Sequence, residues 1–209
     1  MKRKAFEKYA AASSPYWAVV LGLYVFKNVF VALAIYYSAI SFYLFINGGK
    51  GLLKSILSGW NYSAAAGSAI VCACSGVAIF LLWPYARLEN VNLVSTLAEY
   101  GLSGAACYIF VATATILNPL LEELFWRGCF ENEPTRPAFI DVVFAGYHVL
   151  ALVLVINAPI TISAFVILFA ASWLFRFMKH KFGGLAVPYV AHLTADISIV
   201  AGIYFLIGQ

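Results

Sequence analysis

The sequence predicts an all-α, polytopic integral membrane bundle of about seven segments, one of them short. Three observations carry that prediction. The 209 residues are 64% hydrophobic and only 11% charged, where a soluble domain has about 25% charged residues. The mean hydropathy of +0.90 is more apolar surface than a water-facing globule of one-domain size can hide. Apolar stretches near the ~20 residues that cross a bilayer also recur along the chain, separated by short polar breaks. The net charge of +4 is small and sits mainly at the ends of the apolar runs. That placement belongs to membrane topology rather than to polyanion binding, so no nucleic-acid partner is expected.

The whole chain, 1–209, reads as a single transmembrane domain without internal repeats. Met1-Lys-Arg-Lys is followed by an apolar stretch far longer than the ~7–15 residues of a signal peptide, so it is expected to be retained. The first candidate span lies within Tyr16 to Ile46 and is interrupted by Lys27 and Asn28. Either one tilted helix snorkels Lys27 to an interface, or an interfacial helix precedes a span over about Val29 to Ile46. Asn47 to Gly59 is a turn-rich loop that includes Lys50. Tyr62 to Trp83 is the second span, with Ala64, Ala65, Ala66, Gly67 and Ala69 suited to close helix contact. The third runs over Val91 to Leu117. Asn118-Pro119 then breaks the pattern and opens a short helix to about Phe130. Glu131 to Pro137 is a polar loop, Phe139 to Ile156 spans, and Ile160 to Met178 returns. Lys179 to Gly184 is a basic turn, and Ala186 to Ile207 is the last span.

Lys and Arg in the flanks orient the chain. With the amino terminus cytoplasmic, Lys2, Arg3, Lys4, Lys8, Arg87, Arg136, Arg176, Lys179 and Lys181 share the cytoplasmic side, opposed by Lys50 and Lys54. This holds if the short helix after Pro119 counts as a crossing. Cys72, Cys74, Cys107 and Cys129 lack the spacing of a disulfide framework or a zinc ribbon and read as small packing residues.

The informative residues are the ionisable ones inside apolar helices: Lys27, Glu99, Glu122, Glu123, Arg127, Asp141, His148, His192 and Asp196. A charge at mid-bilayer costs roughly 2.5–3.5 kcal/mol on insertion scales, so such groups face the protein interior and mark function. Glu123 and Arg127 are i,i+4 and can pair on one helix face, which leaves Glu122 turned away from them. His192 and Asp196 are again i,i+4, as are Phe144 and His148. Three helices can thus bring Glu122, His148, His192 and Asp196 to one cavity. There a carboxylate beside an imidazole can take a proton from water and later return it. A second imidazole, or a donor beside it, can hold the oxyanion of a tetrahedral intermediate. The chemistry this suits is water attack on an amide. His180 lies in the basic turn and reads as solvated. Asp141 is as consistent with solvation as with a supporting place, Glu99 and Lys27 have no evident partner, and Phe144 and the many Tyr and Trp residues read as packing and interface anchors.

Glu122-Glu123-Leu-Phe-Trp-Arg127, Phe144-Ala-Gly-Tyr-His148 and His192-Leu-Thr-Ala-Asp196 match, in order, the motifs EExxxR, FxxxH and HxxxN/D. Together with Gly183-Gly-Leu-Ala-Val-Pro188, they make residues 118–198 resemble the CPBP family of CAAX proteases and bacteriocin-processing enzymes. The resemblance implies an intramembrane glutamic endopeptidase similar to type II CAAX prenyl endopeptidases. Glu122 and His148 would activate water, His192 and residue 196 would stabilise the oxyanion, and Glu123, Arg127 and Phe144 would support the site. Many members carry Asn where this chain has Asp196; an ionised Asp cannot donate to an oxyanion, so it must be protonated or else orient His192. Nothing in the sequence implies a prenylated substrate. The expected substrate is a membrane-tethered peptide or protein, the expected setting a bacterial cytoplasmic membrane, and no cofactor is expected. Three alternatives stay open: a non-catalytic immunity or scaffold protein that binds a peptide or membrane partner, a zinc hydrolase (for which no HExxH is present), and a proton-relaying transporter.

Overall fold

The computed structural model describes residues 2–48, 51–130 and 135–208, with side chains from Glu7 onward. The expectations for Lys50, for residues 131–134 and for the side chains of Lys2, Arg3 and Lys4 fall outside the described residues. Ten α-helical stretches, some joined end to end by π-helical turns, form the described fold. The only β-type pairing among these residues is one bridge, Arg87 to Ile156.

The amino-terminal half of the first candidate span is a hairpin. Helix α1 (Lys2–Val19) continues through a π-helical turn (Val20–Val25). The chain reverses at Lys27, which takes φ 47°. Asn28 then caps α2 (Val29–Asn47), its side chain accepting from the amides of Phe30 and Val31, which satisfies helix-end donors that would otherwise be bare. Lys27 bonds to Glu99 across 72 positions of sequence, so these two charges, expected to be solitary, satisfy each other. One helical turn, α3 (Leu52–Ser55), precedes α4 (Tyr62–Ala86).

The sequence expectation for the next segment is corrected. The third span does not start at Val91: α5 (Leu93–Glu99) is short, and the chain bends through Gly101 at φ 85° before α6 (Ala105–Ala112). Asn118-Pro119 does not end a helix either. From α6 the backbone passes through a π turn (Thr113–Leu117), α7 (Asn118–Glu122) and a second π turn (Glu123–Cys129), one uninterrupted run of 25 residues. Proline has no N–H for the α-helical ladder, and a wider turn placed just before it removes the demand for that bond. Helices α8 (Phe139–Leu152), α9 (Ala158–Phe182) and α10 (Ala186–Ile207) complete the bundle. Five runs are long and apolar enough to cross a membrane, and α8 is a shorter apolar helix. With the α1 run there are seven passes, and the short one is α8 rather than 120–130.

Contacts between loops show that the passes alternate. At one end, the amides of Leu185 and Ala186 donate to the carbonyls of Ser55 and Ser58, Lys8 lies over the Phe130 ring, and Arg176 reaches the carbonyl of Arg136. At the other end, Leu88 N–H donates to Val155, Asn157 N–H to Ala86 and Val29 N–H to Tyr100. Lys8, Lys54, Arg136, Lys179 and Lys181 therefore share the amino-terminal end. Arg87 lies at the opposite end, with Lys27. This reverses the expected placement of Lys54 and Arg87, because the hairpin adds a pass before Lys54 and the merged helix removes one after Arg87.

Two further expectations change. Asp141 is buried, not solvated: it accepts from Ser172 Oγ at 2.9 Å and pairs with Arg176 at 2.7 Å, joining α8 to α9. The small-residue contact of α4 centres on Gly76 rather than Gly67. A Cβ at Gly76 would stand 1.9 Å from the Ser198 carbonyl on α10, whereas one at Gly67 would meet nothing within 4 Å. Ser198 Oγ accepts from Gly76 N–H at 2.8 Å and donates to the Ala73 carbonyl, so backbones and a hydroxyl cross where side chains would otherwise hold the helices apart. Gly76→Leu is expected to destabilise the protein by ~1–3 kcal/mol or more through overpacking, with Gly67→Leu near neutral. Thermal unfolding in detergent micelles reads both.

A candidate active site on four helices

Of the residues singled out by the sequence, Glu122, Glu123, Arg127, His148, His192 and Asp196 cluster on α7 and the π turn that follows it, α8 and α10, with α2 adding groups that the motifs do not contain, whereas Lys27 pairs with Glu99 and Asp141 with Arg176 elsewhere. Glu122, Glu123, Arg127 and His192 are all buried, the first three at 1% exposure or less. Buried ions are costly unless they are paired and hydrogen-bonded, so their partners define the site.

Glu122 Oε1 accepts two phenolic protons, from Tyr36 on α2 at 2.9 Å and from Tyr147 on α8 at 2.5 Å. Tyr36 is itself held by Trp126, whose indole N–H donates to its oxygen at 2.8 Å. Indole nitrogen can only donate, so the single Tyr36 proton is directed at Glu122. The other carboxylate oxygen, Oε2, has no hydrogen-bond partner in the described chain and stands 3.6 Å from His192 Nε2.

Glu123 serves a different partner. Its Oε1 meets His192 Nδ1 at 2.8 Å and Arg127 Nη1 at 3.1 Å. The Arg127 contact is ionic and lacks hydrogen-bond geometry; the guanidinium lies over the Phe144 ring at 4.3 Å from its centroid and over Phe175 at 5.3 Å. Cation–π contacts of this kind gain strength when desolvated. The predicted Glu123–Arg127 pairing is observed, and Phe144, expected as packing, is the platform beneath Arg127. The expectation that Glu122 turns away from its neighbour is only half met. It avoids Arg127, yet both glutamates face His192. Both residues keep ordinary α-helical dihedrals, so it is the length of the two side chains that lets neighbouring positions reach one imidazole, at the start of a π turn. π turns of this kind recur at functional sites.

His192 thus has Nδ1 against Glu123 and Nε2 facing Glu122 and, at 3.7 Å, Asp196 Oδ1. Asp196 Oδ2 accepts from Asn118 Nδ2 at 3.2 Å, and Asn118 Oδ1 accepts from Tyr37 at 3.2 Å. His148 stacks on Tyr147 with ring centroids 4.1 Å apart and lies 4.9 Å from Phe144. Its Nδ1 is 2.8 Å from the Phe144 carbonyl. A carbonyl can only accept, so Nδ1 carries a proton and, in the neutral ring, Nε2 keeps the lone pair. The three motif helices therefore converge on Glu122 and His192, and His148 joins them through the ring of Tyr147, whose hydroxyl binds Glu122.

Sequence reasoning missed Tyr36, Tyr37, Asn118, Trp126 and Tyr147. Tyr147 and Trp126 sit inside two of the motifs, and Asn118 is one helical turn before Glu122, so position alone marked them. Tyr36 and Tyr37 come from a helix without any motif. Among the described residues, no three His, Cys, Asp or Glu side chains are arranged to ligate a metal ion.

Comparison with known proteins agrees with the motif reading. A family model described as "Rce1-like: Type II CAAX prenyl endopeptidase Rce1-like" matches residues 104–198. Searches of curated proteins and of solved structures return no match. The matched segment runs from the start of the merged helix to the residue that locks α4 against α10 and holds all three motifs; over it the chain is similar to type II CAAX prenyl endopeptidases, which supports the assignment to the CAAX-protease (CPBP) family.

Proposed function

We propose that the protein hydrolyses a peptide bond of a membrane-tethered peptide or protein by direct attack of water, with Glu122 and His148 as the activating pair. The observation that carries this reading is the division of labour within one carboxylate. Tyr36 and Tyr147 hold Glu122 Oε1, while Oε2 is bare and turned toward His192. A carboxylate fixed by one oxygen and free at the other is suited to accept a proton without moving. His148, with Nδ1–H committed to a backbone carbonyl, offers Nε2 as a second acceptor.

In this mechanism the water oxygen bonds to the amide carbon as its proton passes to Glu122, and the carbonyl electron pair moves onto oxygen. His192, when both ring nitrogens are protonated, donates Nδ1–H to Glu123 and Nε2–H to the oxyanion. Collapse of the intermediate breaks the C–N bond, and the proton returns from Glu122 to the leaving nitrogen, giving a carboxyl and an amine. Arg127 and Glu123 fix the orientation of His192. Lys8, Lys54, Arg136, Lys179 and Lys181 at the amino-terminal end, against Lys27 and Arg87 opposite, support an orientation with that end in the cytoplasm; a bacterial cytoplasmic membrane is the setting we propose.

The test is cleavage of tethered reporter peptides by the full chain in liposomes. His148→Ala is expected to lower turnover by about 10²-fold, with helix content and thermal unfolding unchanged. Chelator treatment of protein shown to be metal-free is expected to leave the rate intact. A His148→Ala protein as fast as wild type, or a rate that tracks metal content, would overturn the scheme.

A further inference from the structure

Asp196 stands where a donor is wanted, yet an ionised carboxylate only accepts. The structure places an amide beside it from another helix. Asn118 is one turn before Glu122 on α7, so both side chains leave the same face. Its Nδ2 is 3.2 Å from Asp196 Oδ2, Asp196 Oδ1 is 3.7 Å from His192 Nε2, and that nitrogen is 3.6 Å from Glu122 Oε2. Asn118, Asp196, His192 and Glu122 thus form a continuous chain of polar groups, its two ends carried on the same face of α7. The amide orientation is set on both sides. The carboxylate of Asp196 demands the nitrogen, and Tyr37 O–H donates to Oδ1 at 3.2 Å. Nδ2 carries two protons and Asp196 takes one. Asn118, Asp196 and Tyr37 are half-buried, whereas Glu122, Glu123, Arg127 and His192 are buried, so Asn118 sits at the less buried side of the cluster with one Nδ2–H that Asp196 does not use.

We propose that Asn118 is a catalytic residue whose free Nδ2–H donates to the oxyanion alongside His192, supplying from α7 the carboxamide that α10 lacks at position 196. Asp196 then has a positioning role: it orients the Asn118 amide and faces His192. Tyr37 completes the arrangement by fixing the amide oxygen. This rests on the peptidase reading and adds to it a donor that none of the three motifs contains.

The experiment measures kcat and KM on tethered reporters in liposomes for wild type, Glu122→Ala, Asn118→Ala, Asp196→Asn and the exchange variant Asn118→Asp/Asp196→Asn. Loss of one preorganised oxyanion donor costs about 10²–10³ in kcat, so Asn118→Ala is expected to fall by that factor with KM little changed. In the Asp196→Asn background the same substitution is expected to cost roughly tenfold or less, because residue 196 then donates. The exchange variant keeps the charge and the 118–196 hydrogen bond and returns the carboxamide to α10; it is expected to recover to within about tenfold of wild type. If wild type does not cleave, or Glu122→Ala still does, the peptidase reading falls first. If wild type cleaves and Glu122→Ala does not, then Asn118→Ala within about twofold of wild type overturns the proposal. So does a folded but inactive exchange variant beside an active Asp196→Asn, an arm that decides the matter even where Asn118→Ala fails to fold.

Discussion

Glu122→Gln is expected to reduce kcat by at least the roughly 10²–10⁴-fold that a positioned general base contributes, with substrate binding retained. The two side chains have nearly the same shape. Glutamine Oε1 can still accept from Tyr36 and Tyr147, so the polar tie between α2, α7 and α8 survives. The atom that replaces Oε2 faces His192 across 3.6 Å, too far for a strained contact. What is lost is the capacity to take a proton from water, since an amide nitrogen has no basic lone pair. Single-turnover kinetics in liposomes, with binding measured separately on the same protein, reads the split between the chemical step and affinity. A variant that binds and cleaves as wild type does would remove Glu122 from the chemistry. The non-catalytic binding reading would gain instead from a Glu122→Gln protein that keeps its protective activity in vivo while neither it nor wild type cleaves.

The same carboxylate shows what a linear sequence can disclose about such a site. Glu123–Arg127, Phe144–His148 and His192–Asp196 are each separated by four positions, and helical geometry alone puts such pairs on one face. The cost of a buried charge in lipid then makes their convergence the economical expectation. The groups that tune Glu122 have no such signature. Tyr36 lies 86 positions away, on a helix without charged residues, where a tyrosine is indistinguishable from an interface anchor. Lys27 and Glu99 looked solitary for the same reason: 72 positions separate them, and no periodicity links one helix end to another.

The fold was legible in its class and in most of its breaks, and less so in how the passes are divided. Hydropathy located the apolar runs, but it cannot say whether a proline ends a helix or is absorbed by it. At Pro119 the π turn over Thr113–Leu117 lets the helix continue, and the assignment of loops to ends changed with it. The hairpin at Lys27 was half visible, since Asn28 is a good cap, but α1 is too polar for hydropathy to mark it as a pass. Glu122 and Glu123 both face the same imidazole, an arrangement that the i,i+4 pairing of Glu123 with Arg127 did not anticipate.

Asp141→Ala is expected to be the most destabilising of the substitutions considered, by about 3–5 kcal/mol, because it breaks the buried ion pair with Arg176. Arg176 is 1% exposed and bonds to Asp141 through Nη2 at 2.7 Å. The carboxylate also accepts from Ser172 Oγ and from the backbone N–H of Ala138 at 2.8 Å. It therefore caps α8 and ties it to α9 at once, and α8 carries both Tyr147 and His148. The helix-cap contribution alone is typically ~1 kcal/mol; most of the loss comes from breaking the buried ion pair. If that is the cause, Asp141→Leu combined with Arg176→Met should be less destabilising than Asp141→Ala alone, since an apolar pair of similar volume often replaces a buried ion pair at little cost. Thermal unfolding in micelles gives the stabilities. Residual proteolysis of the double variant gives the second reading: restored stability with low activity would place the importance of Asp141 in aiming α8 at the site, and restored stability with full activity would make the pair purely structural. A single Asp141→Ala variant as stable as wild type would mean that the carboxylate and guanidinium are solvated after all.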